Sequence, residues 1–174
     1  MRGMSPIPMA VAKMNSSFQR YSVLIAFLVV LAAAVFYFGA GDRRRAEGYV
    51  DVREPAQIPR GRVVYEQRCA VCHGERLEGQ PNWRARLPNG RLPAPPHDDT
   101  GHTWHHPDKV LFAIVKNGLV PPYAPAGYES DMPAFGEVLS DEDIRAVLAY
   151  IESHWSDKVA KIREEMLAPL RGTR

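Results

Sequence analysis

The only two cysteines of the chain stand in one pentapeptide, Cys69-Ala70-Val71-Cys72-His73. That spacing is the attachment site of a c-type haem. Each thiol adds across one haem vinyl group, and the two intervening residues set the sulfurs where both vinyls are reached. His73 is then held under the iron as proximal ligand, and the small core forms around the haem. Two other uses of a C-x-x-C pair compete. A dithiol redox site expects a βαβ context, and a zinc site needs a second pair of ligands. No third cysteine exists, and the dithiol reading leaves the adjacent His73 unexplained.

Haem is attached covalently outside the cytoplasmic membrane in bacteria, so the motif points to an exported domain. The N-terminal part agrees. Residues 21–40 form a 20-residue apolar run without a charge, about 30 Å long as a helix and so matched to a bilayer core. Tyr21 at one end and Phe36, Tyr37 and Phe38 at the other sit where an aromatic belt lies. The run exceeds the ~7–15-residue core of a signal peptide, and cleavage after Ala40 would put bulky Phe38 where a small residue is wanted. A permanent anchor is therefore expected. Charge opposes the required topology, because Arg2, Lys13 and Arg20 precede the run while Arg43, Arg44, Arg45 and Arg53 follow it. The haem requirement overrules the count. The expectation is a single-pass protein of the bacterial cytoplasmic membrane with its haem domain on the periplasmic side. A net charge of +2 with 24% charged residues implies no nucleic-acid partner.

The chain divides into a cytoplasmic leader (1–20), the anchor (21–40), a linker (41–57), a globular domain (58–155) and a C-terminal helical extension (156–174). The linker mixes charge, Gly and Pro with no apolar period. Within the domain, Val64, Tyr65 and Arg68 predict a first helix over 61–72, broken at Gly74. Residues 75–103 predict loop. Pro107 opens a second helix with Val110, Leu111, Ile114 and Val115 on its apolar face, and Asn117-Gly118 stops it. Ser140 caps a third, with Asp143 three residues on as in a capping box. Its face is Ile144, Val147, Leu148 and Ile151. Residues 157–170 predict an extra amphipathic helix with no docking partner evident. No strand pattern or repeat occurs. The fold class is all-α: three to four helices around one covalent haem, preceded by one transmembrane helix.

The iron needs a sixth ligand. Met132 is followed by Pro133 in a loop just before the third helix, and it is the only Met within 58–155. Thioether sulfur favours reduced iron, and a His/Met pair raises the haem potential. The competing use of Met132 is as a flexible filler of an apolar core. A His from the 97–106 stretch is the next candidate ligand.

Together these residues make the chain resemble the monohaem class I-type cytochromes c, bacterial, membrane-anchored and His/Met-ligated, over about residues 59–155. Gly61 and Tyr65 fall eight and four residues before the first Cys, as the family's glycine and aromatic do. The resemblance implies that Gly61 lets the first and last helices cross closely, with Tyr150 on the other side. It also implies that a loop proline accepts the proximal His Nδ1–H through its carbonyl. Pro93, Pro95 and Pro96 compete for that role, with Pro95 preferred. Trp104 suits a haem propionate through its indole N–H. His97, His102, His105 and His106 lie among Asp98, Asp99 and Asp108, a composition that suits copper or zinc. A loop walling the haem explains it better.

Charge is uneven. Residues 60–91 hold seven Arg and three Glu, whereas 92–155 hold three basic and ten acidic side chains. An ordinary solvated surface and electrostatic docking around a haem edge bordered by Arg76, Arg84, Arg86 and Arg91 both fit that division. The implied function is a non-enzymatic electron carrier, tethered to the bilayer and moving single electrons between membrane redox complexes. The alternative is a fixed cytochrome subunit of a larger membrane oxidoreductase. A haem enzyme or gas sensor would need an open sixth site, against which Met132 argues.

Overall fold

The computed structural model describes residues 16–46, 50, 54 and 56–171, with side chains inside the first helix described at 21 and 24–39. Among the described residues there are six α-helices, one 3₁₀ turn and no strand. The chain separates into two compact units, residues 1–43 and 44–174.

The first unit is carried by α1, Ser16–Ala46, which takes in the whole apolar run 21–40. Its described large apolar side chains are all at least half exposed, from Leu31 at 50% to Phe36 at 80%. The unbroken described stretch, 24–39, falls short of a span, and among the described residues no helix is long and apolar enough to cross a membrane. Residues 1–15 of the expected leader lie outside the described residues.

The second unit starts earlier than its sequence pattern indicates. Helix α2 runs Gln57–Arg68 rather than from Gly61. Pro59 misleads here, because in a first turn its missing N–H is not needed. At Cys69 the chain turns into a separate single-turn helix, α3, Ala70–His73, so the haem motif is its own element. Gly74 ends it at φ +83°, a conformation that side chains with a Cβ rarely adopt. The long loop that follows is interrupted by a 3₁₀ turn at Thr103–His105. Pro107 lies just outside α4, Asp108–Asn117, as its extended N-cap. Helix α5, Asp141–Glu152, begins with the expected capping box: the Asp143 N–H donates to Ser140 Oγ at 3.1 Å, and the Ser140 N–H donates to Asp143 Oδ2 at 3.2 Å. Helix α6, Asp157–Arg171, completes the order.

Every residue from Ile144 to Ile151 is buried, because α5 is covered on both sides. On one side it joins Val64, Tyr65, Leu77, Trp155 and Val159 through Val147, Tyr150 and Ile151. On the other it joins Leu111 and Val50 through Ile144, Leu148 and Ala149, with Phe112 and Val115 packed alongside. Val50 falls in the stretch read as linker, yet it is 4% exposed and its N–H reaches Asp108 at 3.4 Å. On the second-helix face Leu111 is buried, and Val110, Ile114 and Val115 are partly so. Helices α2 and α5 cross at Gly61, where an added Cβ would lie 1.9 Å from the Ala146 carbonyl oxygen and 2.8 Å from Tyr150 Cβ. Tyr65, fully buried, packs 5.4 Å from Tyr150 and donates its hydroxyl to the Gly74 carbonyl at 2.9 Å. That bond ties the end of the haem motif to the helix crossing.

Candidate haem site

Cys69 and Cys72 are unpaired thiols, the first half-buried and the second exposed. Burial, with the neighbouring Cys72, pushes the Cys69 thiol up to about 11. A reactive dithiol is tuned the opposite way, toward the thiolate, so the raised Cys69 thiol does not favour the redox use of this pair. The zinc use is not favoured either: among the described residues no three His, Cys, Asp or Glu side chains come together as a metal site.

His73 is buried at 7% exposure, and burial lowers its pKa, partly opposed by its hydrogen bond to the Pro95 carbonyl. Its Nδ1 lies 2.8 Å from that carbonyl oxygen. A carbonyl only accepts, so Nδ1 carries the proton and Nε2 keeps its lone pair free for a metal. Pro95, not Pro93 or Pro96, is the proline that meets His73. The Pro95 stretch is itself held, because the Ala94 carbonyl accepts from Gln80 N–H at 2.9 Å and Gly79 packs against the Pro95–Pro96 peptide.

The histidine stretch does not converge on one point. The His97 ring stacks on His73 at 3.9 Å between centroids, 19° from parallel, and its Nδ1 meets Thr103 Oγ1 at 2.8 Å. Two imidazoles on opposite sides of one metal have nitrogens about 4 Å apart, given metal–nitrogen bonds near 2 Å, and centroids farther still. His97 is therefore a companion of the proximal ring and not a ligand across from it. His102 stacks on Trp83 at 5.3 Å, and His105 lies against Trp104 at 3.6 Å.

Met132 is half-buried in the loop between α4 and α5, and its N–H donates to Ser130 Oγ at 3.1 Å. The loop is pinned on both sides of it. Beyond Met132, the Phe135 and Gly136 N–H groups donate to the Val115 and Lys116 carbonyls at 3.0 and 2.9 Å. Before it, Arg91 pairs with Asp131 and, at 3.2 Å, with Glu129. Arg91, one of the four arginines expected to border a haem edge, is turned to this loop. Arg84 lies 4.0 Å over the Trp83 ring, and Arg86 donates to the Gly90 carbonyl.

The sequence pattern of a family described as "Cytochrome C oxidase, cbb3-type, subunit III" matches residues 56–151. The chain belongs to this family. A curated relative, the cbb3-type cytochrome c oxidase subunit CcoP of Azospirillum brasilense, is 30% identical over 101 residues, which is 58% of this chain and 29% of the relative. The chain thus aligns with less than a third of that relative's length. No solved structure matches.

This cytochrome c domain implies haem c as its cofactor, and the residues present fit it. Among the described residues four buried side-chain polar atoms have no partner: Trp104 Nε1, Arg91 Nε, His102 Nδ1 and Gln57 Oε1. Buried polar groups are normally satisfied, and two of these are obligate donors that call for an acceptor such as a haem carboxylate. Trp104 packs against the main core cluster. The matched region ends one residue before the end of α5, so Trp155 and α6 lie beyond it.

Sequence reasoning missed three features: the His97–His73 stack, the Arg91 clamp, and Arg163 of α6. Only Arg163 left a trace. It interrupts an apolar stripe, Val159 and Leu167, at i+4 spacing, which marks a buried charge.

Proposed function

We propose that the chain is a cytochrome c subunit of a membrane oxidase and carries single electrons through one haem c. Cys69 and Cys72 hold the haem covalently, His73 and Met132 ligate its iron, and the run 21–40 tethers the domain on the periplasmic side of the bacterial cytoplasmic membrane. The observation that carries this reading is the His73 Nδ1–H fixed at 2.8 Å by Pro95, with the two free thiols of Cys69 and Cys72 just before it in the chain. When bound, the iron supplies reversible one-electron chemistry with both ligands in place. His73 is kept neutral and oriented, its Nε2 lone pair presented. Met132 offers a soft sulfur that favours the reduced state. Trp104 offers an N–H to a carboxylate. No residue need transfer a proton, so the chain is a carrier and not itself catalytic.

The family's description as an oxidase subunit favours a fixed place in a complex over a free tethered shuttle moving between complexes. A tether serves either case by raising effective concentration near membrane partners. Membranes solubilised in mild detergent test the choice. A covalently haem-stained band co-migrating with oxidase activity is expected. The stained chain running alone returns the shuttle reading, and a chain without stain after denaturation overturns the haem assignment.

A further inference from the structure

Helix α6 lies outside the matched family region, yet it grips the loop that holds Trp104. Arg163 is 5% exposed, and its Nη1 donates to the carbonyls of Trp104, at 2.8 Å, and His106. Its Nη2 pairs with Asp108 and, at 3.1 Å, with Glu152, while the guanidinium lies 5.0 Å over Trp155. Just before α6, Trp155 Nε1 donates to the His97 carbonyl at 2.9 Å, and the Ser156 N–H reaches Asp99 Oδ1 at 3.0 Å. The loop 97–106 is therefore fastened to the C-terminal segment at both ends. Between those fastenings sit two of the four unpartnered buried side-chain atoms among the described residues, Trp104 Nε1 and His102 Nδ1.

We propose that Arg163 is a positioning residue for the haem: by holding the Trp104 carbonyl it aims the Trp104 indole N–H at a haem carboxylate, which makes α6 part of the haem site. Arg163, whose charge is met by Asp108 and Glu152, also donates to two backbone carbonyls of one loop, which holds that loop in one conformation. Trp104 also has a donor that the protein itself leaves unused. A donor to a haem carboxylate offsets negative charge near the iron, so losing it favours the oxidised state.

The proposal rests on the haem reading above, and its test separates the two. Holoprotein matured with haem is compared as parent, Arg163→Gln, Arg163→Lys, Trp104→Phe and the Arg163→Gln/Trp104→Phe double variant. Trp104→Phe should lower the equilibrium constant for reduction up to about tenfold, 59 mV for one electron. Arg163→Gln should lower it in the same direction, and in the Trp104→Phe background it should add almost nothing. Arg163→Lys, which keeps the charge but loses the fork, should fall between parent and Gln. A parent without covalent haem sinks the haem reading itself. A haem-bearing Arg163→Gln that melts earlier at an unchanged potential overturns the inference and leaves Arg163 a structural residue. Should the Gln variant not fold, a parental potential in both Arg163→Lys and Trp104→Phe overturns it equally.

Discussion

Replacing Gly61 with Ala should destabilise the domain even though alanine is the better helix former. The new Cβ would sit 1.9 Å from the Ala146 carbonyl oxygen, whereas ordinary contact begins at 3.4 Å, so α2 and α5 must open by about 1.5 Å. The obstructing atom is backbone of α5, whose residues 144–151 are all buried, so no flexible side chain can give way. Overpacking of this kind costs about 3 kcal/mol or more, and the helix-propensity gain returns at most about 1 kcal/mol. The net loss of ~2 kcal/mol corresponds to a fall in Tm of roughly 8–16 °C for a domain of this size. Thermal melts of the haem-loaded protein followed by far-ultraviolet circular dichroism measure it. The opening also pulls Tyr65 from Tyr150, loosening the hydroxyl bond to Gly74 that ends the haem motif, so haem incorporation should fall in step. A Gly61→Ala protein melting within 2 °C of the parent would refute the close-crossing argument.

Met132→Ala should lower the reduction potential, abolish the weak red absorbance band of the oxidised protein and let carbon monoxide bind the reduced haem; an unchanged spectrum assigns the sixth position elsewhere. Ser140→Ala removes the acceptor of the Asp143 N–H and should cost about 1 kcal/mol, read as a lower denaturation midpoint at unchanged slope. Glu152 supplies a pH test: burial pushes its carboxyl up to about 7, partly opposed by Arg163, while Asp108 adds to the rise. The native state then holds a proton that the unfolded chain, with a value of ~4.3, has released, so stability should fall as pH rises from about 4.5 to 7. Glu152→Gln should flatten that slope, and parallel stability curves for the two proteins would contradict it.

What the sequence revealed and what it hid divide along physical lines. The Ser140/Asp143 cap is legible because it is local in sequence, and the proposed haem residues Cys69, Cys72 and His73 stand out because covalent attachment would require that spacing. The α2 start was misplaced because Pro59 has two opposite meanings, breaker or first-turn residue, that only the fold distinguishes. The choice of Pro95 among three prolines depended on which carbonyl the loop geometry turns toward His73, information that single residues do not carry. Arg91 with Asp131, and Arg163 with Asp108 and the Trp104 carbonyl, are separated by some 40 to 60 positions in the chain. Pairings that distant follow from tertiary packing, and the composition of 60–91 alone does not reveal that one of its arginines reaches across to Glu129 and Asp131.

The two sides of the proposed site are built to different standards, and that asymmetry has a functional meaning. On the proximal side, His73 is buried, bonded to the Pro95 carbonyl and stacked on His97, which is itself held through Thr103 and through its own backbone. No exposed ion pair takes part. On the side of Met132, the loop depends on two backbone bonds from Phe135 and Gly136 and on pairs between Arg91 and carboxylates that are more than half exposed. Exposed pairs are weak and screened by salt. In the proposed site the imidazole is therefore the fixed reference, and the Met132 loop is the side whose hold the surroundings can alter. In a carrier fixed within a complex, a partner surface that covered Arg91, Glu129 and Asp131 would exclude water from those pairs and strengthen them.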